Sequence, residues 1–148
     1  MVKLQFHFQS SAILKQRTKL KSFLSHKLFE SEFQEGCVEV ILVDDPFLLS
    51  MNQQYLQHDD YTDIITFNLS DSPKVLVAEL YISYQRVKEN AIQRNIPTQI
   101  ELHRVIFHGV LHLLGHNDKT NVQQAHMRSL EDEWLLQFQS WKHPDSRT

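Results

Sequence analysis

Apolar and polar residues alternate from the first positions of the chain. Val2, Leu4, Phe6 and Phe8 are interleaved with Lys3, Gln5, His7 and Gln9, and a period of two predicts a half-buried strand. Ser10 and Ser11 offer capping hydroxyls to a helix. Its stripe of Ile13, Leu14, Leu20, Phe23, Leu24 and Leu28 carries it to about Phe33, before Glu35-Gly36 breaks the pattern. Cys37–Val43 is mostly apolar and predicts a central strand. Asp44-Asp45-Pro46 joins a carboxylate cap to a first-turn proline, opening a short helix that bears Phe47, Leu48, Met51 and Tyr55. Gln57–Asp60 reads as a polar loop. Thr62–Phe67, rich in β-branched residues, predicts a third strand. Asp71–Lys74 turns the chain into a fourth, Val75–Ser83, whose Ser83 caps a helix to about Arg94. Pro97-Thr98 opens the next helix, with Thr98 and Glu101 at capping-box spacing. Thr120 and Gln123 repeat that spacing before a last helix faced by Val122, Met127, Leu130, Trp134, Phe138 and Trp141. His143–Thr148 is expected to be a loose tail. Four strands and about five helices make a small α/β or α+β domain. A helix between the first two strands favours their parallel pairing through a right-handed crossover.

The chain has 148 residues, which suits one compact domain over residues 1–148. No internal repeat or linker interrupts it. Hydrophobic residues make up 41%, with three Gly and four Pro, so ordinary globular folding is expected. The single cysteine, Cys37, excludes an internal disulfide and reads as a small packed hydrophobe. The N-terminal alternation lacks the apolar block of a signal peptide, and no apolar run reaches the length of a membrane span, so a cytoplasmic protein is expected. A formal net charge of −3 argues against a strong non-specific nucleic-acid binder. Lys15, Arg17, Lys19, Lys21 and Lys27 nevertheless cluster in the first helix, as a solvated face or an RNA-facing patch.

The candidate chemistry lies in His108-x-x-x-His112. Residues four apart share one face of a helix, roughly 6 Å apart along its axis, so two imidazoles can bind one ion without distorting the backbone. The flanking Val105, Ile106, Phe107, Val110, Leu111, Leu113 and Leu114 mark a helix that is buried nearly all round. Buried imidazoles need partners, and a metal serves both. Gly115 can end the helix in the left-handed conformation, after which Asp118 returns within reach. His116 competes with it for the third position, but with less chain to bring it round. Three protein ligands, His108, His112 and Asp118, would leave a fourth position for water, the open arrangement of a catalytic zinc. No Cys-x-x-Cys competes for the ion. Gly109 stands where His-Glu-x-x-His proteases carry their general base, which disfavours peptide hydrolysis by that route.

His108-Gly-x-Leu-His112-Leu-x-Gly115 resembles the signature of the YbeY family of bacterial metal-dependent endoribonucleases. Met51-Asn52-Gln-Gln-Tyr55, Thr62–Phe67 and Ala78–Ser83 are similar to further family blocks in order and spacing, so the resemblance spans roughly residues 37–120. It implies a mixed four-stranded sheet with the metal helix packed on it. It also implies a metal-dependent endoribonuclease acting on ribosomal RNA at the ribosome, in maturation of the small-subunit 3′ end and in quality control. The expectation is single-strand-specific cleavage by a bound zinc ion, with iron, nickel or copper also fitting the donors, and with no nucleotide cofactor and no membrane. The family's third ligand is a His; Asp118 stands there. The family has an Arg, thought to face the substrate phosphate, where this chain has Leu56; either another cation serves, with Arg86, Arg104 and Lys119 as candidates, or activity is weak. Asp63 and Glu79 fall in matching blocks, where ordinary turn and solvent-facing roles are the alternative. Two rival functions remain: a metallohydrolase of a peptide or ester, and a non-catalytic ribosome-assembly factor with a structural metal.

Overall fold

The chain forms β1 (Val2–Phe8), α1 (Arg17–Glu30), β2 (Glu35–Val43), α2 (Asp45–Leu56), β3 (Ile64–Asn68), β4 (Val75–Ser83), α3 (Tyr84–Arg94), α4 (Thr98–Leu113) and α5 (Asn121–Ser140). This structure is a computed structural model that describes residues 1–56 and 62–142. The loop expected over Gln57–Asp60 and the tail expected over His143–Thr148 lie outside the described residues. The sheet has the order β1-β2-β4-β3. β1 and β2 pair in parallel, as do β2 and β4, while β3 runs antiparallel to β4. Among the described residues the class is α+β with a mixed four-stranded sheet and five helices, as expected.

Strand alternation divides the side chains between two layers. Val38, Val40 and Leu42 of β2 and Leu76, Ala78, Leu80 and Ile82 of β4 face the main core, with residues from α1, α3, α4 and α5. The opposite face holds a smaller cluster of Ile41, Val43, Leu48 and Ile65 beneath α2. Phe23 of α1 sits at the centre of an aromatic group, with ring centroids 5.4 Å from Phe107, 5.9 Å from Trp134 and 5.4 Å from Phe138. That group joins α4 to α1 and α5.

Two helix starts differ from expectation. Ser10 and Ser11 do not cap α1, which begins at Arg17 behind a left-handed Gln16 with φ of 62°. Residues 13–15 are engaged elsewhere: Gln99 donates to the Ile13 carbonyl at 2.8 Å and accepts from the Lys15 N–H at 2.9 Å. A tertiary clip to α4 thus takes the backbone groups a longer helix would use. The Thr98–Glu101 capping box does not form either. Pro97 is the N-cap and gives no side-chain bond, because Glu101 is buried and drawn to Arg94 instead. At α5 the Thr120–Gln123 capping box is present in full.

The face of α4 away from the sheet includes His103, 2% exposed, with its ring centroid 5.1 Å from that of Phe138. Its Nε2 has no partner. Burial pushes its pKa down to about 4, outweighing a contact with the Lys15 backbone that acts the other way. The unfolded chain takes up this proton at about pH 6.5, so stability falls as pH drops from there to about 4. The loss at this residue is expected to approach about 3 kcal/mol by pH 4. Urea titrations of wild type and His103→Leu across that window should show the variant with the shallower acid dependence. Equal slopes would count against the burial argument.

Candidate metal centre

α4 is buried along almost its whole length. From Glu101 to Leu113 only Arg104, His108 and His112 keep partial exposure. They are spaced four apart and form one line along the helix. Every other position has packed against the sheet or a neighbouring helix. Gly109 shows why this helix can lie so close to the strands: a Cβ there would come within 2.8 Å of Ile64 Cδ1 and 3.0 Å of Leu80 Cδ1. The position faces the sheet, so a general base placed there would point away from the two histidines.

The end of α4 is set by Gly115, at φ of 97°. The Gly115 N–H donates to the His112 carbonyl at 3.0 Å and the His116 N–H to the Leu111 carbonyl at 3.1 Å. This is the paired bonding of a Schellman turn, which needs a residue without a Cβ at the left-handed position. The chain reverses there and brings Asp118 back over the last two turns. Asp118 Oδ2 lies 3.3 Å from both His108 Nε2 and His112 Nε2, and the two nitrogens are 3.1 Å apart. His116 points elsewhere, its ring centroid 5.7 Å from that of His126. Between the two rivals for the third position, the structure brings Asp118 to the histidines.

These distances fit a cation. Donors on a tetrahedral ion with bonds of 2.0–2.1 Å stand about 3.3–3.4 Å apart. Protonation chemistry gives an independent reason. Glu131 Oε2 lies 2.6 Å from His108 Nδ1, and an ionised carboxylate only accepts hydrogen bonds. The proton is therefore on Nδ1, and a neutral His108 turns a lone pair at Nε2 towards another acceptor, Asp118. A proton or a metal ion at the point the two share relieves their repulsion, and His112 Nε2 faces the same point. Burial of His108 opposes its protonation, yet Glu131, Asp118 and Asp63 hold its pKa above the ordinary value. His108, His112 and Asp118 form a group that could hold a metal ion.

Sequence reading missed Glu131. It belongs to the buried stripe of α5 with Met127, Trp134 and Phe138, and a carboxylate in an apolar stripe was the available signal. Its second oxygen is 3.3 Å from Arg104 Nη1, which also lies 2.8 Å from Asp132. Arg104 is thus a brace for Glu131. Beside His108 and Asp118 opens a cleft of about 370 Å³, lined on one side by Asp63, Arg94, Glu101 and Arg104 and on the other by Gln124, Met127, Arg128 and Glu131. Asp63, weighed as a turn residue, does lie in this cleft, and burial raises its pKa. Glu79 does not line it; it sits on β4 on the sheet face opposite the main core. Arg86 pairs with Asp45, and neither it nor Lys119 lines the cleft. Nor do the early basic residues: Arg17, Lys19, Lys21 and Lys27 lie over Phe8, Phe138, Phe6 and Phe23.

A mixed sheet carrying a helix with two imidazoles, joined by a carboxylate at the mouth of a cleft, defines an α+β domain of the metal-site class. A family model described as Endoribonuclease YbeY matches residues 5–139. Relatives named Endoribonuclease YbeY include one from Flavobacterium psychrophilum, 38% identical over 91% of this chain and 96% of its own length. Another, from Cytophaga hutchinsonii, is 39% identical over 82% and 85%, and one from Bacteroides fragilis is 45% identical over 68% and 71%. The solution structure of TM1509 from Thermotoga maritima superposes with a TM-score of 0.58 at 25% identity, covering 97% of this chain and 99% of that one. The chain belongs to the YbeY family.

Two measurements test this assembly. Zinc titration against a chromophoric chelator should show Asp118→Ala losing affinity while His116→Ala keeps it; the reverse pattern would hand the third position to His116. Glu131→Gln should bind the ion about 10–100-fold more weakly, as when other partners that orient a metal-bound histidine are removed. An unchanged affinity would reduce Glu131 to a packing role.

Proposed function

We propose that this chain is a zinc-dependent endoribonuclease that cuts single-stranded RNA, with ribosomal RNA as its substrate. The observation that carries the reading is the convergence of His108, His112 and Asp118, two of which, His108 and Asp118, line a cleft. Nitrogen and carboxylate donors suit zinc. When bound, the ion supplies Lewis acidity towards a phosphodiester and lowers the pKa of water. The chain's own residues do the rest. His108 and His112 present their Nε2 atoms, Glu131 holds the Nδ1 proton of His108, and Arg104 holds Glu131. Asp118 adds the negative charge that favours a divalent ion. No side chain is assigned as an acid or base in the reaction.

Two features favour this reading over its rivals. Gly109 faces the sheet, so the base of a His-Glu-x-x-His protease has no place to stand. The side chains of His108, His112 and Asp118 are 25%, 27% and 35% exposed, whereas a structural zinc is enclosed by four protein ligands. The names of the relatives support nuclease action. The expected place of action is the cytoplasm, on the ribosome, in small-subunit 3′-end maturation and ribosome quality control. Residues 1–148 act as one domain in this reading.

The test is cleavage of an end-labelled RNA with single-stranded and duplex segments. His108→Ala or His112→Ala should slow cutting by on the order of 10³-fold, since metal-ion stabilisation contributes several kcal/mol. A chelator should do the same to wild type and zinc should reverse it, with duplex segments spared. Undiminished cleavage by either folded variant would end the proposal.

A further inference from the structure

The cleft carries four carboxylates, Asp63, Glu101, Asp118 and Glu131, and three arginines, Arg94, Arg104 and Arg128. A polyanionic substrate that reaches beyond the ion held by His108, His112 and Asp118 meets repulsion from these carboxylates unless a further cation is available to it. Two of the arginines are already committed. Arg94 is paired with Glu101, and Arg104 with Glu131 and Asp132. Arg128 is exposed, and among the described residues it has no ion-pair partner.

Its isolation has a structural cause. On a helix, an arginine finds acids at the third and fourth positions beyond it. For Arg128 these are Glu131 and Asp132, and both are held by Arg104 from across the cleft, at 3.3 and 2.8 Å. The brace that steadies the His108–Glu131 contact therefore also leaves Arg128 unpaired. Gln124, one turn earlier on α5, lines the same wall and adds an uncharged donor.

We infer that Arg128 is the substrate-phosphate contact of this cleft: its guanidinium grips a phosphodiester of the RNA strand beside the metal centre, with Gln124 alongside. The inference rests on the nuclease reading. A guanidinium suits the task because its planar fork can meet two phosphate oxygens at once, which an ammonium cannot. Arg128 is a binding and positioning residue that takes no part in bond breaking.

The experiment measures KM and kcat of the zinc-loaded protein for a single-stranded oligoribonucleotide across a salt series, with Arg128→Gln and Arg128→Lys beside wild type. Arg128→Gln is expected to raise KM about five- to tenfold at low salt, with kcat within about twofold and zinc content unchanged. The slope of log KM against log salt should fall by about 0.7, the contribution of one single-strand phosphate contact. Arg128→Lys should restore the slope and only part of the affinity. If wild type cuts RNA and Arg128→Gln keeps its KM and slope, the inference fails and the nuclease reading stands. If Arg128→Gln loses zinc or kcat collapses, Arg128 maintains the centre, which also overturns the inference. If wild type does not act on RNA, the nuclease reading fails and Arg128 falls with it.

Discussion

Burial of α4 on every side but one is the constraint from which the rest of the structure follows. Below it, Gly109 lets the helix backbone approach Ile64 and Leu80 closely. On its flank, Phe107 joins the aromatic group around Phe23. At its start, Gln99 clips residues 13–15 and Glu101 is held by Arg94. A helix fixed at so many points cannot rotate about its axis without dismantling the core. The line of Arg104, His108 and His112 is therefore aimed by packing, and the histidines are placed before any ion arrives. Preorganisation of this kind lowers the ordering cost of binding.

The second level of order is electrostatic. Burial alone would keep His108 neutral and loosely oriented; Glu131 fixes its tautomer and its ring plane together. Glu131 is itself a buried carboxylate, costly without a partner, and Arg104 supplies one. Arg104 then spans both acids on α5. One chain of contacts runs from Asp132 through Arg104 and Glu131 to His108. Each link satisfies the charge of the one before, and the end left open is the point shared by His108, His112 and Asp118. The spacing of donors fits a metal ion at that point.

Much of this was readable in advance, and the failures have physical causes. Strand positions followed from two-residue alternation and from unbroken apolar runs, both driven by burial that any chain of this pattern would share. His108 and His112 were legible because helical spacing converts directly into geometry. What the chain pattern could not show were contacts made across long separations. The start of α1 was misplaced because Gln99, more than eighty positions away, competes for its backbone. The Thr98–Glu101 box was misread because Arg94 offered Glu101 a better partner than a helix end. Glu131 was visible as an acid in an apolar stripe, yet only the meeting of α4 and α5 shows that its partner is a histidine.

The choice of Asp118 over His116 turns on the connection between two helix caps. The Schellman turn at Gly115 uses the His116 N–H to close on Leu111, which fixes that backbone just as the chain changes direction. The His116 side chain leaves towards His126, away from the ligands. At the other end, Thr120 and Gln123 cap α5, fixing where that helix begins and so where Met127, Arg128 and Glu131 fall along the cleft. Residues 116–119 are all that lies between, too few to wander. With both ends pinned, the position two beyond His116 is the one returned over the last turns of α4. The same short loop thus delivers Asp118 to the two histidines and sets the register that puts Glu131 behind His108. A residue inserted between Gly115 and Thr120 would disturb both contacts at once, although it touches neither histidine.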